Sequence, residues 1–375
     1  MPSIRWGLGT GADVCVPFSG NATLSGCRII GAGGADDDVA LAWNEADVDA
    51  NTVGLWRMNE AAWTGAAGEV LDSSGNGNHG QSYNGANTET GWLDRSANFL
   101  LGVNAYVDLM NVGSNSYTVE GWFNLEPTMS SYGYLYDADV QMRCSNIISL
   151  NKLRFYSFGV YYDIARPAWN TWFHLRHTAT RGTQAQVFIN GVSQGTWVPG
   201  TWGPALKVFR LASRNGTSDF TKCRIDDVKY STVSQFSGNF TVARYKSAAQ
   251  NGSVQPYAQC SNAGLVGMVP AAVSWSATVG ASYGQVKRVL VNDVSAGWTA
   301  VGGDYPTSPV TISGLVLASA DAVRVELEPK ADALQSETPV LDWLHLEYTL
   351  PVTGGRVYRP SPLRLGPKLL PIGVF

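Results

Sequence analysis

The side chains best suited to chemistry are few and scattered. Glu45, Asp47 and Asp49 alternate in NEADVDA, so on a strand their carboxylates share one face. Glycoside hydrolysis needs two carboxylates flanking the scissile bond, about 5 Å apart for retention. These three precede the strand-rich part of the chain with no aromatic-rich strand around them, which reads as a solvated connector. Glu120 in YTVEGWF sits inside a strand pattern but lacks an acidic partner two or four residues on, leaving it a structural or ligand-facing role. The histidines, His79, His174, His177 and His345, form neither a Ser/His/Asp order nor an H-E-x-x-H helix, so nucleophilic catalysis has no footing. A non-enzymatic protein is expected.

Aromatic rings are the other candidates, because they stack on sugar faces. Tyr132, Tyr134 and Tyr136 in SYGYLYD project to one side if that run is a strand, making a candidate ligand-binding stripe. Tyr161 and Tyr162 follow in FGVYYD, and Trp92, Trp169 and Trp197 stand in loop-like contexts. Such aromatics serve cores and interfaces more often than sugar platforms. Cys15, Cys27, Cys144, Cys223 and Cys260 include no CxxC pair, which argues against a zinc cluster. Pairing of Cys15 with Cys27, or of Cys144 with Cys223, stays open beside free thiols.

The elements that must position these residues are strands. A chain of 375 residues exceeds the usual single-domain range, so two domains with connecting arms are expected. Charged residues make up 15%, well below the roughly 25% of average soluble proteins. Forty-one Gly, 13 Trp and 16 Tyr favour turns and strands, and the chain reads as all-β. The net charge of −4 is spread without a basic run, which excludes a phosphate-tracking groove and makes nucleic acid an unsuitable partner. No run of about 18 apolar residues indicates membrane insertion, and the start MPSIRWGLGTGADVCVPF does not read as a signal peptide. Synthesis in the cytoplasm is the expectation.

Residues 1–52 are Gly-rich with short apolar runs (CRIIGAGG, VALAW) and read as an N-terminal arm or connector that packs on something else. Residues 53–249 repeat short alternating runs between Gly/Asn turns, the pattern of a β-sandwich. After a linker at 250–256, residues 257–350 repeat it on a smaller scale, with Val323, Val325 and Leu327 alternating with Arg324, Glu326 and Glu328. Residues 351–375 carry five prolines, at 351, 360, 362, 367 and 371, and read as an extended arm.

Within 53–249 the pieces VGLWRMNEAAW, VLDSSGNGNHGQSYNG, RSANFLLGVNAYVDL, YTVEGWFNL, NTWFHLRHTATR, QVFINGVSQG and CRIDDVKYST follow one another in an order that resembles the laminin G-like (concanavalin A-like) jelly-roll family. The resemblance covers about half of the 375 residues. It implies a jelly-roll sandwich in which YTVEGWF is a central strand, followed by a second, smaller β-sandwich. It also implies a calcium site: Asp72 and Asn76, with Asp226 or Asp227, resemble the positions from which many members hold the ion. Oxygen ligands on turns suit such a hard cation. Asn59 stands where the family often has Asp, and Asx-turns are the competing role for Asp72 and Asn76. The C-terminal sandwich loosely resembles modules found beside such domains in phage tail and fibre proteins.

Together these features imply a non-catalytic bacteriophage virion protein, on a tail, fibre or capsid surface, whose jelly roll binds cell-surface glycan. The arms would join it to other virion proteins in a homo-oligomer. Two alternatives remain at this point, a purely structural capsid or tail decoration protein and a glycan-degrading enzyme. A bacterial surface or extracellular setting is the alternative location.

Overall fold

The structure is a computed structural model that describes residues 3–7, 14–16, 22–25, 27–30, 38–41, 45–100, 104–127, 132–139, 141–203, 206–242, 244, 255–261, 269–293, 297–313, 315, 320–331 and 337–349. The expected arm at 351–375 lies outside the described residues, as does most of the linker.

Alternating apolar runs between Gly, Asn and Asp turns give strands throughout. The one helical element among the described residues is a 3-10 turn at Ile148–Leu150, and no helix there is long and apolar enough to cross a membrane. The strands near the start are β1 (Ser3–Gly7), β2 (Val14–Val16), β3 (Ala22–Ser25), β4 (Cys27–Ile30) and β5 (Asp38–Leu41). The middle of the chain forms β6 (Thr52–Trp56), β7 (Gln81–Tyr83), β8 (Asn87–Thr90), β9 (Arg95–Asn98), β10 (Tyr106–Val112), β11 (Ser116–Leu125), β12 (Tyr132–Asp137) and β13 (Met142–Ile147). It continues with β14 (Lys152–Ser157), β15 (Val160–Ala165), β16 (Trp172–Thr180), β17 (Gln184–Ile189), β18 (Val192–Trp197), β19 (Lys207–Leu211) and β20 (Cys223–Ser231). The last set is β21 (Tyr257–Ser261), β22 (Val269–Thr278), β23 (Gly284–Asp293), β24 (Gly297–Tyr305), β25 (Val310–Ser313), β26 (Ala320–Pro329) and β27 (Val340–Thr349).

The chain divides into two compact units, one of them built on Trp43–Arg244. This unit is a sandwich of two antiparallel sheets, as the alternating runs of 53–249 led one to expect. An eight-stranded sheet has the order β18-β17-β16-β11-β20-β9-β8 with β6 also on β20, and a seven-stranded sheet has the order β15-β14-β13-β12-β19-β10-β7. Strand alternation decides what lies between them. Along β11, Tyr117, Val119 and Phe123 enter the core, while Glu120 and Trp122 face the opposite side and line a surface cavity. From the other sheet Leu135, Tyr136, Leu153, Phe155, Phe209 and Leu211 meet them. Each large apolar side chain so buried contributes about 1.5–3 kcal/mol.

One polar cluster crosses this core. His177 of β16 receives or donates hydrogen bonds at both ring nitrogens, Nδ1 with the Tyr136 hydroxyl at 2.8 Å and Nε2 with Ser157 Oγ at 2.8 Å and Tyr117 Oη at 3.0 Å. Tyr117 and His177 belong to the eight-stranded sheet, Tyr136 and Ser157 to the seven-stranded one, so the cluster ties the two layers in one register. At the sheet edges Tyr162 of β15 stacks flat on Trp197 of β18, centroids 4.6 Å apart, and its hydroxyl donates to the Gln194 carbonyl at 3.0 Å. Cys144 and Cys223 are both buried free thiols, so the pairing left open between them is not made.

The second unit differs from the sequence expectation in its N-terminal part. Where the sequence suggested an arm or connector that packs on something else, the described strands between residues 3 and 41 enter the sheets of this unit: β1 pairs with β27, β3 with β21, and β5 with β27. They complete one sheet of β1, β2, β4, β5, β22, β25 and β27 and another of β3, β21, β23, β24 and β26. Runs of three to five residues are too short to hold a sheet alone, and they gain stability by extending strands that follow more than 200 positions later in sequence. The expected alternation in β26 holds, with Val323, Val325 and Leu327 buried.

Burial pushes His177 down to about 3 and His174 down to about 4, against about 6.5 in an unfolded chain. Both folded values are depressed, so the unfolded state binds protons first. Stability is therefore full above about pH 6.5 and falls as the pH drops toward the folded values, by about 1.4 kcal/mol per pH unit per histidine. Urea unfolding of the 43–244 unit followed from about pH 7.5 to about pH 5 should show this decline, and His177→Gln should flatten it; an identical slope in the variant would contradict the assignment.

Candidate functional site

The outer face of the seven-stranded sheet concentrates the polar aromatic side chains. Tyr83 of β7 stacks on Tyr106 of β10, centroids 4.6 Å apart and 10° from parallel. Tyr132 and Tyr134 of β12 meet edge to face at 5.4 Å, and Tyr156 of β14 lies 4.9 Å from Tyr161 of β15. Between these pairs run arginines locked to carboxylates. Arg154 binds Asp163 through two hydrogen bonds of 2.7 and 3.0 Å, and Arg210 grips both oxygens of Asp108. Arg143 lies 2.8 Å from Asp137 and 2.7 Å from Asp139. Each guanidinium also faces a ring, Arg143 over Tyr156 at 4.8 Å, Arg154 over Tyr161 at 5.4 Å and Arg210 over Tyr106 at 5.5 Å.

Alternation explains the arrangement. In β14 Leu153, Phe155 and Ser157 point inward, which sends Lys152, Arg154 and Tyr156 outward, and β15 and β10 repeat the pattern with Tyr161, Asp163, Tyr106 and Asp108. The hydrogen bonds from Arg154 hold the Asp163 carboxyl below the usual carboxylate range. The face therefore offers the partly exposed rings of Tyr83, Tyr106, Tyr132 and Tyr161 with pre-oriented polar groups, over the buried rings of Tyr134 and Tyr156. Tyr161 is its most open ring, 55% exposed.

The expected tyrosine stripe is broken. The β12–β13 register shifts between Tyr134 and Tyr136, so Leu135 and Tyr136 both turn into the core. Tyr132 and Tyr134 remain on the outer face; Tyr136 is fully buried against His177. Tyr83, Tyr106 and Tyr156 were missed because each is a single tyrosine on its own strand, and only strand pairing assembles them. The tryptophans have other partners: Trp92 packs on Trp122 at 5.2 Å, Trp169 carries Arg166 at 3.4 Å, and Trp197 stacks on Tyr162.

The four residues implied for calcium do not fit one ion. Asp72 Oδ1 accepts from the Leu55 and Ser74 backbone N–H groups at 3.0 and 2.8 Å, and Oδ2 from Ser74 Oγ and the Asn78 N–H at 2.8 and 2.9 Å. Four donors thus fill the carboxylate. Burial pushes Asp72 up, but these hydrogen bonds outweigh it and hold the group below its ordinary value. Asn76 donates its amide to the Thr52 and Val53 carbonyls, and His79 Nδ1 accepts the Asp72 N–H at 2.9 Å. Asp226 accepts from the Trp92 and Leu93 N–H groups at 3.0 and 2.7 Å, and Asp227 from Ala46 N–H at 2.5 Å. Among the described residues no group of three or more His, Cys, Asp or Glu is placed to hold a metal. Asp72 and Asn76 fasten a turn, the competing role the sequence allowed.

Asp226 and Asp227 both face outward from the eight-stranded sheet because β20 bulges there. Glu120 pairs with Lys229 and Trp122 with Asp226, leaving Asp227 as an extra residue at φ +51°. A Cβ on Gly121 opposite would come within 3.3 Å of the Asp226 carbonyl and Val228 Cα, so a side chain there would push on the bulge. Nearby, Arg57 pairs with Glu45 at 2.6 Å, Lys229 with Asp49 at 2.8 Å and Arg176 with Glu120 at 2.7 Å. The connector acids Glu45 and Asp49 are thus ion-pair partners of the sheet.

No family profile matches the chain, and no curated protein sequence matches it. Among solved structures, half of the chain is similar to domain 4 of AbnA, a GH43 extracellular arabinanase from Geobacillus stearothermophilus, in complex with arabinotriose (18% identity, 50% of this chain, 94% of that chain, TM-score 0.39). The receptor-binding domain of botulinum neurotoxin mosaic serotype C/D is similar at 9% identity, over 50% of this chain and 48% of that one, with a TM-score of 0.38. Trypanosoma rangeli sialidase is similar at 13% identity, over 50% of this chain and 31% of that one, with a TM-score of 0.37.

Asp72→Ala should cost about 2–3 kcal/mol, because it leaves the Leu55, Ser74 and Asn78 N–H groups unmet, and Asp72→Asn should restore part of that. Thermal unfolding with excess EDTA should match unfolding without it; a fall in Tm on chelation would restore the calcium assignment.

Proposed function

We propose that the chain is a non-catalytic glycan-binding protein whose jelly roll presents the tyrosine–arginine face of its seven-stranded sheet to an oligosaccharide. The observation that carries this reading is the interleaving of Tyr83, Tyr106, Tyr132, Tyr134, Tyr156 and Tyr161 with the arginine–carboxylate pairs of Arg143, Arg154 and Arg210. Aromatic rings supply apolar area at low entropic cost, and bidentate pairs present fixed donors and acceptors to ring hydroxyls. Those carboxylates are the hydrogen-bond or ion-pair partners of guanidinium groups, which favours recognition over acid–base chemistry.

A virion setting is the finer part of the proposal. It is supported by the order of the jelly-roll sequence pieces and by the Pro-rich segment 351–375, through which the chain would contact other virion proteins and further copies of itself. A purely structural decoration role is the competing reading, and it requires no glycan.

A glycan array probed with the whole protein should give a defined set of binders. Arg154→Ala and Tyr161→Ala should each weaken the best of them by about tenfold, the scale of one lost charge-assisted hydrogen bond or stacked ring, with unchanged Tm. Absence of any binder would move the assignment to the decoration role.

A further inference from the structure

The outer face of the other sheet carries a separate cavity of about 190 Å³, lined by Glu45, Ala46, Asp47, Glu120, Trp122, His174, Arg176, Asp227, Phe240, Thr241 and Val242. Two chain segments form its sides. Residues 45–47 cross β20, where Ala46 N–H binds Asp227. Residues 240–242 lie over β16 and β17, where Phe240 N–H donates to the Gly191 carbonyl at 2.9 Å and the Phe240 ring meets Phe188 and His174.

Its charges do not balance. Glu45, Asp47, Asp49, Glu120 and Asp227 gather around Arg57, Arg176 and Lys229. The three bases are taken by Glu45, Asp49 and Glu120. Asp47 stays exposed at the rim, and Asp227 is only 3.6 Å from an Arg57 already engaged by Glu45. Two buried polar atoms of lining residues have no hydrogen-bond partner, Asp227 Oδ1 and His174 Nδ1; His174 is 8% exposed. An unmet buried polar atom costs about 1–3 kcal/mol, and a bound donor would recover that cost.

We propose that this cavity binds a small organic cation through a primary ammonium group. The ammonium donates to Asp227 Oδ1 and Asp47, a third donor position of the group meets neutral His174 Nδ1, and Trp122 and Phe240 enclose the carbon chain. The cavity is smaller than the roughly 300–1,000 Å³ of drug-sized pockets, which suits a short aliphatic amine. Arg176 is paired with Glu120 at 2.7 Å and lies 3.9 Å over the Phe240 ring, so the Glu120 carboxylate offsets its charge.

Binding must depend on pH. Burial pushes Asp227 up to about 7, with Ala46 N–H and Arg57 opposing the rise and Glu45 and Glu120 adding to it. The neighbouring Asp226 is pushed up as well, mainly by burial. A cation favours ionised Asp227, so affinity rises with pH through about 7.

Isothermal titration of the whole protein with 1,5-diaminopentane and with 1,5-pentanediol, its uncharged counterpart, tests this. The diamine should bind and the diol should not. Affinity should fall by up to about tenfold between about pH 8 and about pH 6. Asp227→Asn, which keeps an acceptor for Ala46, and the surface change Asp47→Asn should each weaken binding by about tenfold, whereas Arg154→Ala on the opposite sheet should not. The proposal is overturned if the diamine fails to bind, if the diol binds equally, or if Asp47→Asn and Asp227→Asn both leave the affinity unchanged.

Discussion

The jelly roll depends on the contact between its two sheets, and His177 is the residue through which that contact becomes specific. Apolar packing alone holds layers together without fixing how far one slides over the other. A buried imidazole hydrogen-bonded to Tyr117, Tyr136 and Ser157 has satisfied nitrogens in one register only. A shift would leave polar groups unmet in a medium where that is costly. Both outer faces inherit their geometry from this register, since outside the bulges of β12 and β20 each inward residue of a strand assigns its neighbours to the outside.

Much of this was legible in the sequence. Alternation in YTVEGWF puts Tyr117, Val119 and Phe123 on one face, which the structure shows to be the core face, and the Gly/Asn-punctuated runs mark a strand-rich sandwich. Bulges defeated the same rule. SYGYLYD reads as three tyrosines on one face, yet an extra residue at Leu135 turns Tyr136 into the core. In RIDDVKY the inward Ile225 and Val228 stand three apart, an odd spacing that signals the bulge at Asp226–Asp227 and went unused. Long-range pairing was the other obstacle. The fragments CRII and VAL could be seen as apolar, but nothing local says that the edge of a sheet hundreds of positions later will receive them.

The two outer faces differ in how their charges are settled. On the seven-stranded sheet guanidinium and carboxylate groups are paired beside tyrosine rings, which makes a rigid and nearly neutral surface suited to uncharged hydroxyls. On the eight-stranded sheet the bulge and the 45–47 segment bring together more carboxylates than bases, and buried atoms are left unmet. One scaffold thereby carries a tyrosine–arginine face and a separate acidic cavity, without any strand contributing to both.

Glycan recognition by the seven-stranded sheet is tested most directly by hydrogen–deuterium exchange of the whole protein, free and saturated with the glycan that binds it best. Protection confined to the seven-stranded sheet, in β7, β10, β12 to β15 and β19, with little change in β16, β17 and β20, is the predicted result. Protection centred on the eight-stranded sheet, or no change in either, would contradict the assignment of the tyrosine–arginine face as the binding surface.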